Sequence, residues 1–418
     1  MSKRGAVVIE LDSAPPALDV PTSGDYLEQC VVSALFTPAL RLVSASPRAD
    51  YFEFVVDEGQ RFSDGLPVHP RHVLGTLVKA AKSPQWARYI SYLEKAEIVG
   101  DRLCLRMRRP ACFYPDMLRT VDFAPTHPDA PVGNGPYQMG DECDTERGYY
   151  HLIPNPHARG WAQRPGLLFR LETDVARAPD RFRRGDTDIT CSTAFPLDRL
   201  DEWRDSPALH QAPTGIYMQL EPNPSGGGPL ADPSLRRAML GSLDLEVIAA
   251  NFRDGLRPAG YRVQSTEARS RFPSELRIGY HDFYPNREVL EQLSAQWQAQ
   301  LGIHCELVER DYAVWQPADD TDGSFALRYL PFNHPYAHFD QCAGLMTDPA
   351  FGKLMMRFAA GEDTRDAMNT IVQETLPMIR LFEVIGNWLT NPRVTGFNWP
   401  TDAVFDFSAL RCDDRHIR

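Results

Sequence analysis

The stretch EGQRFSDGLPVHPRHV, Glu58 to Val73, orders everything around it. An apolar strand, YFEFVV (Tyr51 to Val56), leads into it through Glu58-Gly59, and a second short extended run ends at Phe62. Asp64-Gly65 reads as a tight turn, because Gly accepts a positive φ and Asp hydrogen-bonds its own backbone. Pro67 has no N–H to give a ladder, so the extended segment stops there. Pro70 suits the first turn of a helix, where its missing N–H costs nothing. The pattern therefore predicts strand, turn and helix in direct succession, the helix running over 70–81. His69 and His72, at i and i+3 near its start, read as exposed.

Outward from this stretch the chain reads as alternating strands and helices. AVVIEL (Ala6 to Leu11) is a strand, Pro15 and Pro16 a turn, and Tyr26 to Leu35 a helix. Leu40 to Leu66 is rich in strands, and Ala96 to Met107 a hairpin turning at Gly100-Asp101. Pro131-Val132-Gly133-Asn134-Gly135-Pro136-Tyr137 reads as a structural turn whose glycines take positive φ. It is no phosphate loop, having neither GK[ST] nor a helix after it. LLFRLETD from Leu167 is a strand, followed by a helix and then RRGDTDIT. In Asp232 to Asn251, the residues Leu235, Met239, Leu240 and Leu243 make a helical stripe and Asp244 an N-cap. A second α/β unit begins at Leu276: LRIGYH, an amphipathic helix over Glu288 to Leu301, Gly302, then IHCELVE. A helix near Asp363 to Leu376, PMIRLFE and Val394-Thr395-Gly396-Phe397 close the chain. SGGG (Ser225 to Gly228) is a loop, and the sequence has no internal repeat or low-complexity tract.

In this order the motifs resemble solute-binding family 5, the peptide/nickel-type binding proteins of ABC importers. That family reads approximately "R-x-G-x-K-F-x-D-G-x-P-hydrophobic-x-x-x-D-V" at the opening stretch. Glu58, Gly59, Phe62, Asp64, Gly65, Pro67 and Val73 fit it, Arg61 stands at the usual Lys, and His72 replaces an acidic residue. PVGNGPY is close to the family's "P-V-G-T-G-P-Y". Asp232, Arg236, Ala238 and Asp244 hold the anchors of a further motif, in which Leu245-Glu246 replaces Arg-Glu. The resemblance implies an α/β, two-lobe fold of the periplasmic-binding-protein type (cluster C) with an inserted third subdomain. It divides the chain into 1–39, first part of lobe I; 40–165, the inserted subdomain; 166–255, second part of lobe I; 256–384, lobe II; and 385–418, a return to lobe I. It also implies hinge closure of two lobes over a ligand.

Composition sets limits on partners. A chain of 418 residues exceeds one ordinary core. With 43% hydrophobic and 24% charged residues it is of the soluble globular class, and a net charge of −12 argues against nucleic acid. The Arg181/Arg183/Arg184 and Arg102/Arg106/Arg108/Arg109 groups read as solvated faces. No window approaches a transmembrane span. After MSKRG only Ala6 to Ile9 are apolar, short of a secretory core. The expectation is a cytoplasmic protein as the sequence stands, or a periplasmic or cell-surface one if the natural chain carries an export signal. Eight scattered cysteines without CxxC favour the cytoplasm. A monomer is expected, with ABC permease subunits as partners if it is exported.

For the ligand, the resemblance implicates the second lobe. Peptide-binding members hold an α-ammonium with Asp in "W-x-x-D-Y-x-x-P". Here Phe325 to Phe339 reads FALRYLPFNHPYAHF, with Pro331 where that Asp would stand. A buried ammonium without a carboxylate is poorly compensated. A peptide-like or modified metabolite is therefore expected, other than ordinary free-amine dipeptides. The implied ligand-binding residues are Ser13, Tyr26, Tyr217, Asn223, Arg328, Tyr329, Asn333, His334, Tyr336 and Trp388. Motifs for an enzyme are weak. His334 and His338 are interrupted by Pro335 and no HExxH exists; Cys143 lies in an acidic loop; Asp186/Asp188 and Asp319/Asp320 sit in loops without pocket context. No catalytic residue, metal or cofactor is expected. The alternatives are a cytoplasmic relative that sequesters or senses a small molecule, or an enzyme of a small-molecule biosynthetic pathway.

Overall fold

The computed structural model describes residues 6–13, 18, 20, 26–83, 86–222, 230, 232–259, 272–281, 284–310, 325–331, 349–400 and 404–413. The chain opens with β1 (Ala6–Leu11) and helix α1 (Tyr26–Leu35), whose residues are all buried. The inserted subdomain follows as β2 (Leu40–Ala45), β3 (Tyr51–Val56), helix α2 (Pro70–Ala80), β4 (Leu93–Val99) and β5 (Arg102–Met107). Its antiparallel sheet has the order β2-β3-β5-β4. Phe54, Leu103 and Leu105 from the sheet meet Val73 and Leu77 from α2, the strand period of two matched against the helix period.

The opening stretch does what its residues require, with one correction. Phe62 and Leu66 close the Asp64-Gly65 turn, the Leu66 carbonyl accepting from Phe62 N at 2.9 Å and Gly65 taking φ 91°. Beyond the turn only an isolated bridge, Arg61 with Pro67, forms. His72 is not exposed but buried, and its Nδ1 accepts the His69 N–H at 3.0 Å. Its side chain thus caps the start of α2. Burial, with Arg71, His69 and His127 nearby, pulls its pKa down to about 4.

β6 (Tyr137–Met139), β7 (Tyr149–Pro154) and β8 (Gly166–Leu171) join β1 in one sheet, β1-β8-β7-β6, in which β1 and β8 are parallel, so residues 137–154 pair with the lobe I strands and not with the inserted subdomain to which the 40–165 division assigned them. The PVGNGPY segment seals the junction. Gly133 and Gly135 do not have positive φ; a Cβ on either would overlap the Leu35 carbonyl at the end of α1. Their role is close backbone approach. Asn134 completes the seam, accepting from Thr37 N (3.1 Å) and donating to Thr37 O (2.8 Å).

Arg181, read from sequence as part of a solvated face, and Asp188, read as a loop acid without pocket context, are both structural. Arg181 is buried and donates to Glu10 Oε1 at 2.5 Å. Asp188 is buried and paired with Arg393. The remaining residues supply β9 (Leu209–Pro222), helix α3 (Pro233–Gly241), β10 (Leu256–Pro258), β11 (Glu275–His281), helix α4 (Asn286–Leu301), β12 (His304–Arg310), β13 (Phe325–Pro331), helices α5 (Pro349–Ala359) and α6 (Arg365–Thr375), and β14 (Ile379–Leu389). They form one mixed sheet, β10-β14-β9-β13-β11-β12. Asp232 caps α3 by accepting from Ser234 N at 2.8 Å, and Asp244 accepts from Val247 N at 3.1 Å, as its position predicts. Cys104 and Cys305 are buried free thiols.

Candidate functional site

β9 and β14 belong to both lobes. Ile216 and Trp388 lie in the core with Val7, Ile9 and Phe169, whereas Met218, Leu220, Ile379 and Leu381 lie in the core with Ile278, Leu293 and Trp297. The pair crosses from lobe to lobe around Tyr217, whose register partner is Glu383. Register shifts between Arg380/Phe382 and Glu383/Ile385 interrupt the ladder here, and Gly215 takes φ 68°. Irregularities of this kind bend a strand locally. Thr214 Oγ1 bridges the bend, donating to Val384 O at 2.8 Å.

Since Met218 and Leu220 enter the apolar core, Tyr217, Gln219 and Glu221 project to the other side of the sheet. Arg380 places its guanidinium 4.7 Å from the centre of the Tyr217 ring. Gln219 is fully buried and donates to Glu221 Oε1 at 2.9 Å; its Oε1 has no partner among the described residues. In the ladder Gln219 is flanked by Arg380 of β14 and Arg328 of β13. Arg257 of β10 forms an ion pair with Glu383. A largely buried polar row thus lies across the crossing, mixing cation, carboxylate, amide and phenol. Such a row can orient a small polar molecule through directed hydrogen bonds.

The predicted residues fall into three groups. Tyr217 lies on β9 and Arg328 and Tyr329 on its neighbour β13, Arg328 in register with Gln219 and Tyr329 with Met218. Trp388 is on neighbouring β14 but in the lobe I core, stacked 5.5 Å from His210, whose pKa burial lowers. Ser13 is half-buried just beyond β1. Tyr26 is buried; its hydroxyl donates to Pro400 O at 3.0 Å and its ring meets Trp399 and Phe405, so it holds the C-terminal return. Asn223, Asn333, His334 and Tyr336 lie outside the described residues. The sequence reading passed over Arg380, Gln219, Glu383 and Arg257. A charged residue inside the apolar run PMIRLFE was the signal for the first of them.

Among the described residues no group of three His, Cys, Asp or Glu could hold a metal ion, and no helix is long and apolar enough to cross a membrane. No protein-family model and no curated protein matches the sequence. Solved structures do match. The Escherichia coli murein tripeptide binding protein MppA is similar over 98% of this chain and 99% of its own, at 16% identity and a TM-score of 0.81. An unliganded open form of MppA gives a TM-score of 0.69 over 98% of each chain, also at 16% identity. Haemophilus influenzae OppA in complex with RPPGFSPFR is similar over 98% of this chain and 99% of its own, at 16% identity and a TM-score of 0.81. Campylobacter jejuni NikZ in complex with Ni(L-His) covers 97% and 99%, at 14% identity and 0.77. The chain therefore has the two-lobe α/β fold of periplasmic solute-binding proteins.

Proposed function

We propose that this chain is a solute-binding protein of the family 5 type, which closes its lobes over a small peptide-like or modified metabolite. The observation that carries the reading is the β9–β14 crossing with its polar row of Arg380, Tyr217, Gln219 and Glu383. The fold supports it, since MppA and OppA are described as binding a murein tripeptide and a peptide, and NikZ a nickel complex. An ordinary dipeptide is disfavoured as ligand. Pro331, which ends β13 opposite Ile216, stands where the resembled family carries its ammonium-binding Asp. Proline has no charge with which to offset a buried ammonium.

Native mass spectrometry of protein purified from its own organism tests the reading. A non-covalent adduct of a single small molecule, released unchanged on denaturation, is the expected result. A chemically altered molecule on release would point to catalysis. Micromolar binding of simple dipeptides in a calorimeter would overturn the ligand class.

A further inference from the structure

Helices α5 and α6 connect lobe II strands, yet they pack elsewhere. The end of α6 is tied to α3, whose Met239 and Leu240 share one core with Ile278, Leu293 and Trp297 although the 166–255 division assigned them to lobe I: Arg236 of α3 donates to the final carbonyls of α6, Thr375 O at 2.7 Å and Leu376 O at 2.5 Å. A cation there satisfies acceptors that the helix leaves unpaired. The apolar faces of the two helices point away from that anchor. Phe351 and Met355 of α5, and Met368 and Val372 of α6, belong to one continuous cluster with Phe54, Val73, Leu105 and Met117 of the inserted subdomain. Cys112 of the subdomain donates from Sγ to Phe358 O at 2.8 Å, at the end of α5. The subdomain is in turn fastened to lobe I through Gly133, Gly135 and Asn134.

Lobe II therefore meets the rest of the molecule twice, through the β9–β14 crossing and through this apolar contact. Rotation about the crossing cannot separate the lobes without breaking the second contact. We propose that the α5–α6 hairpin is a latch that holds the lobes closed before a ligand arrives. Ligand entry then requires the latch to release first, so its rate follows the open population and not the diffusional encounter.

The test uses the full chain with no ligand added, and so stands apart from the ligand-binding reading. Iodoacetamide labelling read by peptide mass spectrometry follows Cys112 at the latch and Cys104 in the subdomain sheet. In the native protein Cys112 is expected to react at least ~100-fold more slowly than in urea. The double variant Met355→Ala, Met368→Ala is expected to raise the Cys112 rate about 10-fold and enlarge the X-ray scattering radius, with Cys104 unchanged. Three outcomes would overturn the proposal: rapid labelling of native Cys112, acceleration of Cys112 and Cys104 together, or an unchanged Cys112 rate in the variant. Parallel acceleration would mean that the helices only complete the subdomain core. Should the double variant fail to fold, Ile371→Ala, at the edge of the cluster, is read in the same way.

Discussion

Arg393 grips Asp188 with both ends of its guanidinium, Nε to Oδ1 at 2.8 Å and Nη2 to Oδ2 at 2.6 Å, across 205 residues of sequence. The same carboxylate accepts Val8 N at 3.0 Å, so one buried acid joins β1, the segment after β8 and the C-terminal return. Asp188 lies almost entirely out of solvent and Arg393 is largely covered. Removing one leaves the other as an uncompensated buried charge, which costs about 3–5 kcal/mol. Asp188→Ala and Arg393→Ala should each lower the urea unfolding free energy by that amount. The double variant should lose much less than the sum, because the second removal relieves the stranded charge.

His72 supplies a pH dependence. Its folded pKa, about 4, lies below the roughly 6.5 of an unfolded imidazole. Between these values the unfolded chain binds more protons, so stability is complete above pH ~6.5 and falls as pH drops toward 4. Arg71, His69 and His127, which face it, act in the same direction. Thermal melts from pH 7 to 4 should show this loss, and His72→Gln should flatten it.

The glycines divide by what surrounds them. Gly133→Ala would press a methyl against the Leu35 carbonyl, and about 1–3 kcal/mol or more should be lost. Gly75, inside α2, has open space on the side where a methyl would project, with nothing within 4 Å, so Gly75→Ala should gain roughly 0.5–1 kcal/mol of helix stability. Paired chemical denaturation of the two variants checks both signs.

At the crossing, Arg380→Met removes the cation above Tyr217 while keeping a similar stem. A charge-assisted contact of about 2 kcal/mol corresponds to roughly 30-fold in affinity. Native mass spectrometry should therefore show this variant carrying far less of the co-purified molecule. Full occupancy would remove Arg380 from the ligand site.

Much of the secondary structure was legible in the sequence. AVVIEL, YFEFVV and the Tyr26–Leu35 helix occupy the residues that periodicity assigns them. The Asp64-Gly65 turn and the Asp244 cap likewise depend only on near neighbours. The site was legible in part. Tyr217 and Arg328 came from their strands, but Arg380 acquires meaning only when β14 is laid beside β9.

The sequence by itself determined where the chain extends, coils and turns, because those preferences come from sterics and hydrogen bonds within a few residues. It determined the order of motifs from which the two-lobe plan follows. Only the tertiary structure decided which polar groups are buried and what they meet. Asp188 and Arg181 looked like loop and surface charges until distant partners enclosed them. Gly133 looked like a turn glycine until the end of α1 came against it. Helices α5 and α6 belong to lobe II by sequence order but pack on the inserted subdomain. Their apolar stripes state that something must cover them, and the topology supplies the cover.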